Sequence, residues 1–326
     1  MAKIRAGIVG YGNIGRSVEK AILHNSDFEL TAILTRRQPN ELLANTPAVF
    51  KIHADEASRL IGKVDVMILC GGSATDLPEQ GPRFAERFIT IDSYDTHAKI
   101  PEYFNKMNEI SKKAGLISII SAGWDPGLFS MKRVLAQAVM PYGSGCTFWG
   151  RGVSQGHSDA VRKIDGVETA VQYTIPIATA VEKARKGEGE YLSTRDKHLR
   201  ECFVVAKECA DKTVIETSIK NMPFYFSDYD TVVHFISMNE FNANHMSMAH
   251  GGVVIHSGKI DGNRHTMEFS LDSHNNAEFT ASILVSFARA AHRCHREGRT
   301  GALTALDIPV TYLSPKSDEE LRKELL

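Results

Sequence analysis

Short apolar runs alternate with segments of helical period through the first third of the chain. Residues 4–9, 29–34, 64–70, 88–91 and 116–120 read as strands, most of them rich in Val, Ile or Leu. Between them, residues 13–24, 82–87 and 101–114 have helical character. In the first of these, Ile14, Val18, Ala21 and Ile22 fall on one side. Strands that are apolar along their length and separated by helices predict a parallel sheet covered on both faces.

The pattern changes after Gly123-Trp124-Asp125-Pro126-Gly127. A helix is expected over residues 128–140. Strand-like segments with wetter alternation follow at 146–150, 170–175, 202–205, 231–236, 253–256 and 265–271, and predict an α+β domain with a mixed, largely antiparallel sheet. Residues 176–199 are charged and helix-like, and a last helix over 279–295 precedes a polar tail. The expected organisation is a first domain of residues 1–123, to which residues 277–326 return, and a second of residues 124–276.

The length of 326 residues suits two domains. With 43% hydrophobic and 24% charged residues, the chain has enough apolar material for a sizeable core, which excludes wholesale disorder. A net charge of −1 argues against a nucleic-acid partner, which needs a basic face. The longest apolar runs are strand-length, so no membrane span is expected. Met1-Ala2-Lys3-Ile4-Arg5 leads straight into the first strand without the apolar region of a signal peptide. Five scattered cysteines, none in a C-x-x-C, suggest neither a disulfide framework nor a metal site, and the expected compartment is the cytosol.

Gly10-Tyr11-Gly12-Asn13-Ile14-Gly15 fits G-x-G-x-x-G. The motif is weak alone, but here it follows a strand and opens a helix, as in a Rossmann-type doubly wound α/β fold. Gly10 permits the turn, Gly12 lets backbone approach a pyrophosphate, and Gly15 allows close helix–strand packing. A glycine turn without a ligand is the competing reading. The second strand ends in Thr35-Arg36-Arg37, with no acid to hold a ribose 2′-hydroxyl. Two guanidiniums and a hydroxyl suit a 2′-phosphate, which favours NADP over NAD, against the alternative of a solvated basic turn. Cys70-Gly71-Gly72-Ser73 follows the next strand and leaves room for the cofactor, with Cys70 read as a packing residue rather than a nucleophile.

Asp95 and Asp125 both follow predicted strands of the parallel sheet, at the edge where a nicotinamide would lie. Paired carboxylates there can hold an ammonium group and move its proton. Turn capping is the plainer explanation for either residue.

At this point several motifs coincide. VGYGNIGRSVEK (residues 9–20), GSATDLPEQ (72–80), DSYD (92–95), GWDPG (123–127), TFWG (147–150), SQGHSD (154–159), VQYT (171–174), CFVVA (202–206), HGG (250–252) and FTAS (279–282) resemble the meso-diaminopimelate D-dehydrogenase family throughout the chain. The fingerprint is generic; SQGHSD together with GWDPG and HGG is much more specific. The resemblance implies NADP-dependent oxidative deamination at the D-centre of meso-2,6-diaminoheptanedioate, giving L-2-amino-6-oxoheptanedioate and ammonia. It also implies a homodimer.

It further implies site residues. Asp95 and Asp125 would line the amino-acid pocket beside the nicotinamide, while Ser93, Tyr94, Ala122, Gly123, Trp124 and Pro126 would touch the cofactor or shape that wall. Trp149, Gln155 and Gly156 would come from the second domain and close over the substrate, with Asp159 orienting their loop. His157 ranks low as a proton shuttle. Thr174, Arg200, His250 and Asn276 match the positions that hold the distal L-centre. Thr35 and Gly71 depart from relatives without threatening the assignment. A semialdehyde or other D-amino-acid dehydrogenase on the same fold, or a regulator that only binds NADP(H), remain the alternatives.

Overall fold

The computed structural model describes residues 2–47, 49–223 and 225–326, without the Gln155 side chain. The chain divides into two compact units, residues 1–131 with 277–326, and residues 132–276. The first break lies inside helix α4 (Leu128–Val139) rather than at residue 123.

In the first unit, strands β1 (Ile4–Val9), β2 (Phe28–Thr35), β3 (Phe50–His53), β4 (Val66–Leu69), β5 (Ile89–Asp92) and β6 (Ile117–Ile119) join Gly301–Leu303 in one sheet. The order is Gly301–Leu303, β6, β5, β4, β1, β2, β3, and every neighbouring pair is parallel. The central strands are buried along their length, as a sheet covered on both faces requires. Helices α1 (Asn13–Leu23), α2 (Leu77–Ala85) and α3 (Ile100–Ala114) supply part of that cover. Strand order reverses between β4 and β1, which opens a crevice at their C-terminal ends.

Two features differ from the sequence pattern. α2 starts at Leu77, not residue 82, with Pro82 inside it. The edge strand β3 escaped notice because it is four residues long and leaves Phe50 exposed.

The return helix Asn276–Arg296 is fastened to this unit by Arg289, whose side chain is 1% exposed. Its guanidinium makes a two-pronged pair with Asp27 (2.5 and 2.9 Å) and donates to Asn25 Oδ1 and the Leu313 carbonyl, both at 2.7 Å. The fork therefore joins the turn before β2, the return helix and the C-terminal segment.

The second unit holds β7 (Gly143–Trp149), β8 (Gly152–Val153), β9 (Val167–Pro176), β10 (His198–Ala206), β11 (Asp230–Phe235), β12 (His250–Ile260) and β13 (Asn263–Ser273). These form two sheets, β11-β10-β9-β8 and β13-β12-β7. Only β10 and β11 pair in parallel; the rest are antiparallel. Each sheet has its own core: Val161, Ala170, Val204, Ile219 and Phe226 under the first, and Cys146, Phe148, Ala184 and Ile255 under the second. Residues 176–199 contain two short helices, Ala178–Arg185 and Thr194–Lys197, and the start of β10.

Arg289→Met is expected to lower the free energy of unfolding by about 3 kcal/mol, because it strands the Asp27 carboxylate. Burial pushes Asp27 up, but its bonds to Arg289 and that charge outweigh burial and hold it below the usual carboxylate range. The pair's contribution is therefore present above that range and lost as pH falls through the folded value. Urea titrations of both proteins at neutral and acid pH check this: the difference should shrink at acid pH.

Candidate active site

β1 delivers the chain into the fingerprint turn. Gly10 takes φ +90°, a conformation open to glycine, and its N–H bonds the Leu34 carbonyl at 2.9 Å. A Cβ on Gly15 would overlap the Gly10 carbonyl oxygen, so α1 lies against the turn only because that residue is glycine. Asn13, Ile14 and Gly15 form the first turn of α1, and Gly12 before them offers no side-chain cap. An anion can take that place.

The crevice beside this turn has a volume of about 530 Å³. Gly10, Tyr11 and Gly12 line one wall, Thr35, Arg36 and Arg37 another, and Cys70, Gly71 and Gly72 a third. Thr35 Oγ1 accepts from the Arg37 N–H at 3.0 Å, which shapes the basic turn. The Arg36 guanidinium reaches across to Asp76 at 3.0 Å. Asp76 also accepts from the Gly72 N–H at 2.8 Å and was not anticipated from sequence. The Tyr11 hydroxyl donates to the buried Glu19 carboxylate, which also accepts from Asn45 Nδ2 and the Thr46 N–H. Burial pushes the Cys70 thiol well above its ordinary value, so it stays protonated and packs. An open phosphate turn, two guanidiniums and a hydroxyl fit a dinucleotide with a 2′-phosphate.

Farther along the strand ends, β5 leads into Ser93, Tyr94 and Asp95, and β6 into Ala122–Pro126. The Asp95 N–H donates to Ser73 Oγ at 2.9 Å, tying the Asp95 loop to the loop after β4. Asp95 is exposed and Asp125 half-buried. GWDPG closes on itself: the Gly123 N–H donates to the Pro126 carbonyl, and the Leu128 N–H to the Gly123 carbonyl, both at 3.0 Å. Tyr94 and Trp124 turn their rings into the unit, against Tyr103 (4.3 Å) and Phe129 (5.1 Å between centroids). The Tyr94 ring, 2% exposed, thus belongs to the scaffold under the loop.

The second unit carries the remaining candidates. Arg200 on β10 pairs in register with Thr174 on β9, and its guanidinium donates to the Thr174 hydroxyl. It lies 3.9 Å above the Tyr229 ring, is 7% exposed, and no carboxylate among the described residues pairs with it. Its Nε has no hydrogen-bond partner. Burial lowers the Arg200 pKa, yet a guanidinium remains charged at neutral pH. His157, His198 and His250 are each pushed down to about 4, first by burial and further by the Arg200 charge, so all three are neutral.

These histidines have distinct settings. His198 Nε2 accepts from the Trp149 N–H at 2.9 Å, and the two rings stack. His250 begins β12 and Asn276 begins the return helix, where its N–H bonds the Met248 carbonyl. His157 lies 2.7 Å from Ser154 Oγ with its edge against Tyr225. A pKa near 4 unsuits it as a shuttle near neutral pH.

SQGHSD is not a loop. It opens helix α5 (Gln155–Arg162), where Asp159 pairs with Arg162 on the exposed face instead of orienting a loop. Space is open around the Gly156 Cα, and its N–H lies in the first turn. The Gln155 side chain lies outside the described residues. His198, Gln172 and Tyr229 were missed from sequence. Each reads alone as an ordinary strand or turn residue: His198 lies two positions before Arg200 on β10, Gln172 bonds the Thr174 hydroxyl, and the fold lays the Tyr229 ring under the Arg200 guanidinium.

Residues 123–275 match the family described as Diaminopimelic acid dehydrogenase C-terminal domain. Over the whole of both chains, the protein is 58% identical to a meso-diaminopimelate D-dehydrogenase of Ureibacillus thermosphaericus. Among solved structures, it matches the Corynebacterium glutamicum DAP dehydrogenase in complex with DAP at 45% identity and a TM-score of 0.94, covering both chains fully. An engineered D-amino acid dehydrogenase bound to NADP+ matches at 44% identity and a TM-score of 0.89, again over both full chains.

Arg36→Ala is expected to weaken NADP+ binding about tenfold through the lost charge-assisted bond, and NAD+ binding much less. Fluorescence titration with both dinucleotides measures this. Equal losses would remove Arg36 from 2′-phosphate recognition.

Proposed function

The chain belongs to the meso-diaminopimelate D-dehydrogenase family, and on that premise we propose that it catalyses the reversible, NADP-dependent oxidative deamination of the D-centre of meso-2,6-diaminoheptanedioate. The products are L-2-amino-6-oxoheptanedioate and ammonia. The observation that carries this reading is Arg200: a buried guanidinium that no carboxylate among the described residues meets, with an unpaired Nε, is prepared for a ligand carboxylate.

The substrate bears an ammonium and a carboxylate at each end. Asp95 and Asp125 hold the D-centre ammonium and accept a proton from it, and the freed lone pair then drives hydride departure from the carbon. Bound NADP+ supplies the hydride acceptor. Water adds to the resulting imine and ammonia leaves, with the same carboxylates relaying protons. Arg200 takes the L-centre carboxylate in a fork, the Thr174 hydroxyl aids it, and His250 and Asn276 add polar contacts. Gly156 offers a backbone N–H to the D-centre carboxylate, and Trp149 completes the wall. The two ends differ only in handedness, so a grip on the L-centre is what selects the D-centre for reaction.

We also infer a homodimer and a cytosolic location. Val134, Leu135, Val139 and Tyr142 are large, apolar and exposed in the second unit, and β13 is an unpaired sheet edge. Among the described residues the cysteines are all free, as a reducing compartment keeps them. Among the described residues, no helix is long and apolar enough to cross a membrane.

Reduction of NADP+ with meso-diaminopimelate, but not with its L,L isomer, is the expected spectrophotometric result; equal rates would overturn the reading. Arg200→Met is expected to abolish that activity and keep NADPH binding. Its free form should melt no lower than wild type, because a buried unpaired charge has been removed. Light scattering should give twice the 36.0 kDa chain mass, and Leu135→Arg should shift it toward the single-chain value.

A further inference from the structure

Asp92, the last residue of β5, is fully buried, and no cation among the described residues pairs with it. Its Oδ1 accepts from two backbone N–H groups, Tyr94 at 3.0 Å and Ser121 at 3.1 Å. Its Oδ2 accepts from the Tyr103 hydroxyl of α3 at 2.8 Å, and its own carbonyl accepts from the Ala122 N–H at 2.8 Å. One residue thus bonds both the segment leading to Asp95 and the segment leading to Asp125. We propose that Asp92 is a positioning residue, whose carboxylate clamps the Asp95 loop to the Asp125 loop and sets the spacing of the two reacting carboxylates.

Three observations support this. Ser121 sits at φ +55°, a left-handed conformation that side chains other than glycine rarely adopt, and its N–H is one of the two held by Oδ1. A local sequence preference does not account for that conformation; a bond from outside the segment does. Tyr103, which holds the other oxygen, stacks on Tyr94, so the same clamp fixes the segment's buried ring. A Cβ on Gly81 of α2 would overlap the Tyr103 hydroxyl, so α2 leaves the space that lets this hydroxyl reach Asp92. Burial raises the Asp92 pKa and the three donors offset part of that rise, leaving it at about 6, so the carboxylate is mostly ionised at neutral pH. A buried carboxylate retained at such a disadvantage, touching neither Asp95 nor Asp125, acts through backbone geometry.

The proposal rests on Asp95 and Asp125 being the carboxylates that meet the ammonium, so its test has one arm that does not. In the free protein, Asp92→Ala should speed hydrogen exchange at Tyr94 and Ser121. Asp92→Asn should keep their protection, because its amide oxygen still accepts both bonds while the Tyr103 hydroxyl accepts from its NH2. In turnover with meso-diaminopimelate, Asp92→Ala should lose about a hundredfold in kcat, the scale of an ångström-level misplacement, with little change in the KM for NADP+. Asp92→Asn should recover most of that loss. If the alanine variant does not fold, Asp92→Ser carries the same comparison, since its short hydroxyl reaches only one of the two segments.

Unchanged exchange in the alanine or serine variant would overturn the clamp. Faster exchange with unchanged kcat would keep the clamp but overturn its role in catalysis. An asparagine variant as impaired as alanine, with exchange protection intact, would also overturn the proposal, because charge rather than geometry would then be the requirement. Absence of turnover with meso-diaminopimelate in the wild-type protein would instead defeat the substrate reading and leave the exchange result standing.

Discussion

Two buried arginines separate the structural from the functional in this protein. Removing a guanidinium from water is unfavourable unless an anion meets it. Arg289 meets Asp27, Asn25 and a backbone carbonyl, so its cost is offset within the fold and the return helix is locked in place. Arg200 has a threonine hydroxyl, an aromatic face and three neutral histidines around its charge. Nothing within the second unit offsets its burial fully. In the proposed complex its partner is a carboxylate of the substrate, and affinity for that ligand then comes partly from the charge left unmet in the free protein.

The first unit treats carboxylates in the opposite sense. Asp95 and Asp125 are left partly or wholly accessible, while Asp92 beneath them is buried and saturated with donors. The two accessible groups can exchange protons with a substrate. The buried one cannot reach it and is suited to hold backbone in place. On the proposed reading, separate carboxylates serve chemistry and geometry at the same sheet edge, where the parallel sheet brings every strand out.

Much of this was visible in the chain itself where the signal is local. Residues 4–9 and 13–24 announce a strand and an amphipathic helix through their own periodicity, and the glycines between them fix the turn. Thr35-Arg36-Arg37 likewise needs only its place at a strand end. Signals that depend on partners were lost. β3 is too short and too exposed to read as a strand. SQGHSD, with glycine and histidine, does not look helical; α5 stands because Val161 is buried in the core and Ser158 Oγ accepts from the Gln172 N–H. Asp92 looks like any polar residue that ends a strand.

The sequence by itself therefore determined the parallel sheet, the glycine turn after its first strand and the basic end of its second strand. Each of these rests on neighbours within a few positions along the chain. Only the tertiary structure decided that no acid among the described residues pairs with Arg200, that Thr174 faces it across β9 and β10, and that one oxygen of Asp92 binds residues 94 and 121 together. Charge burial and hydrogen-bond partnership are set by segments distant in sequence, and a linear pattern carries no record of which atoms those segments bring together.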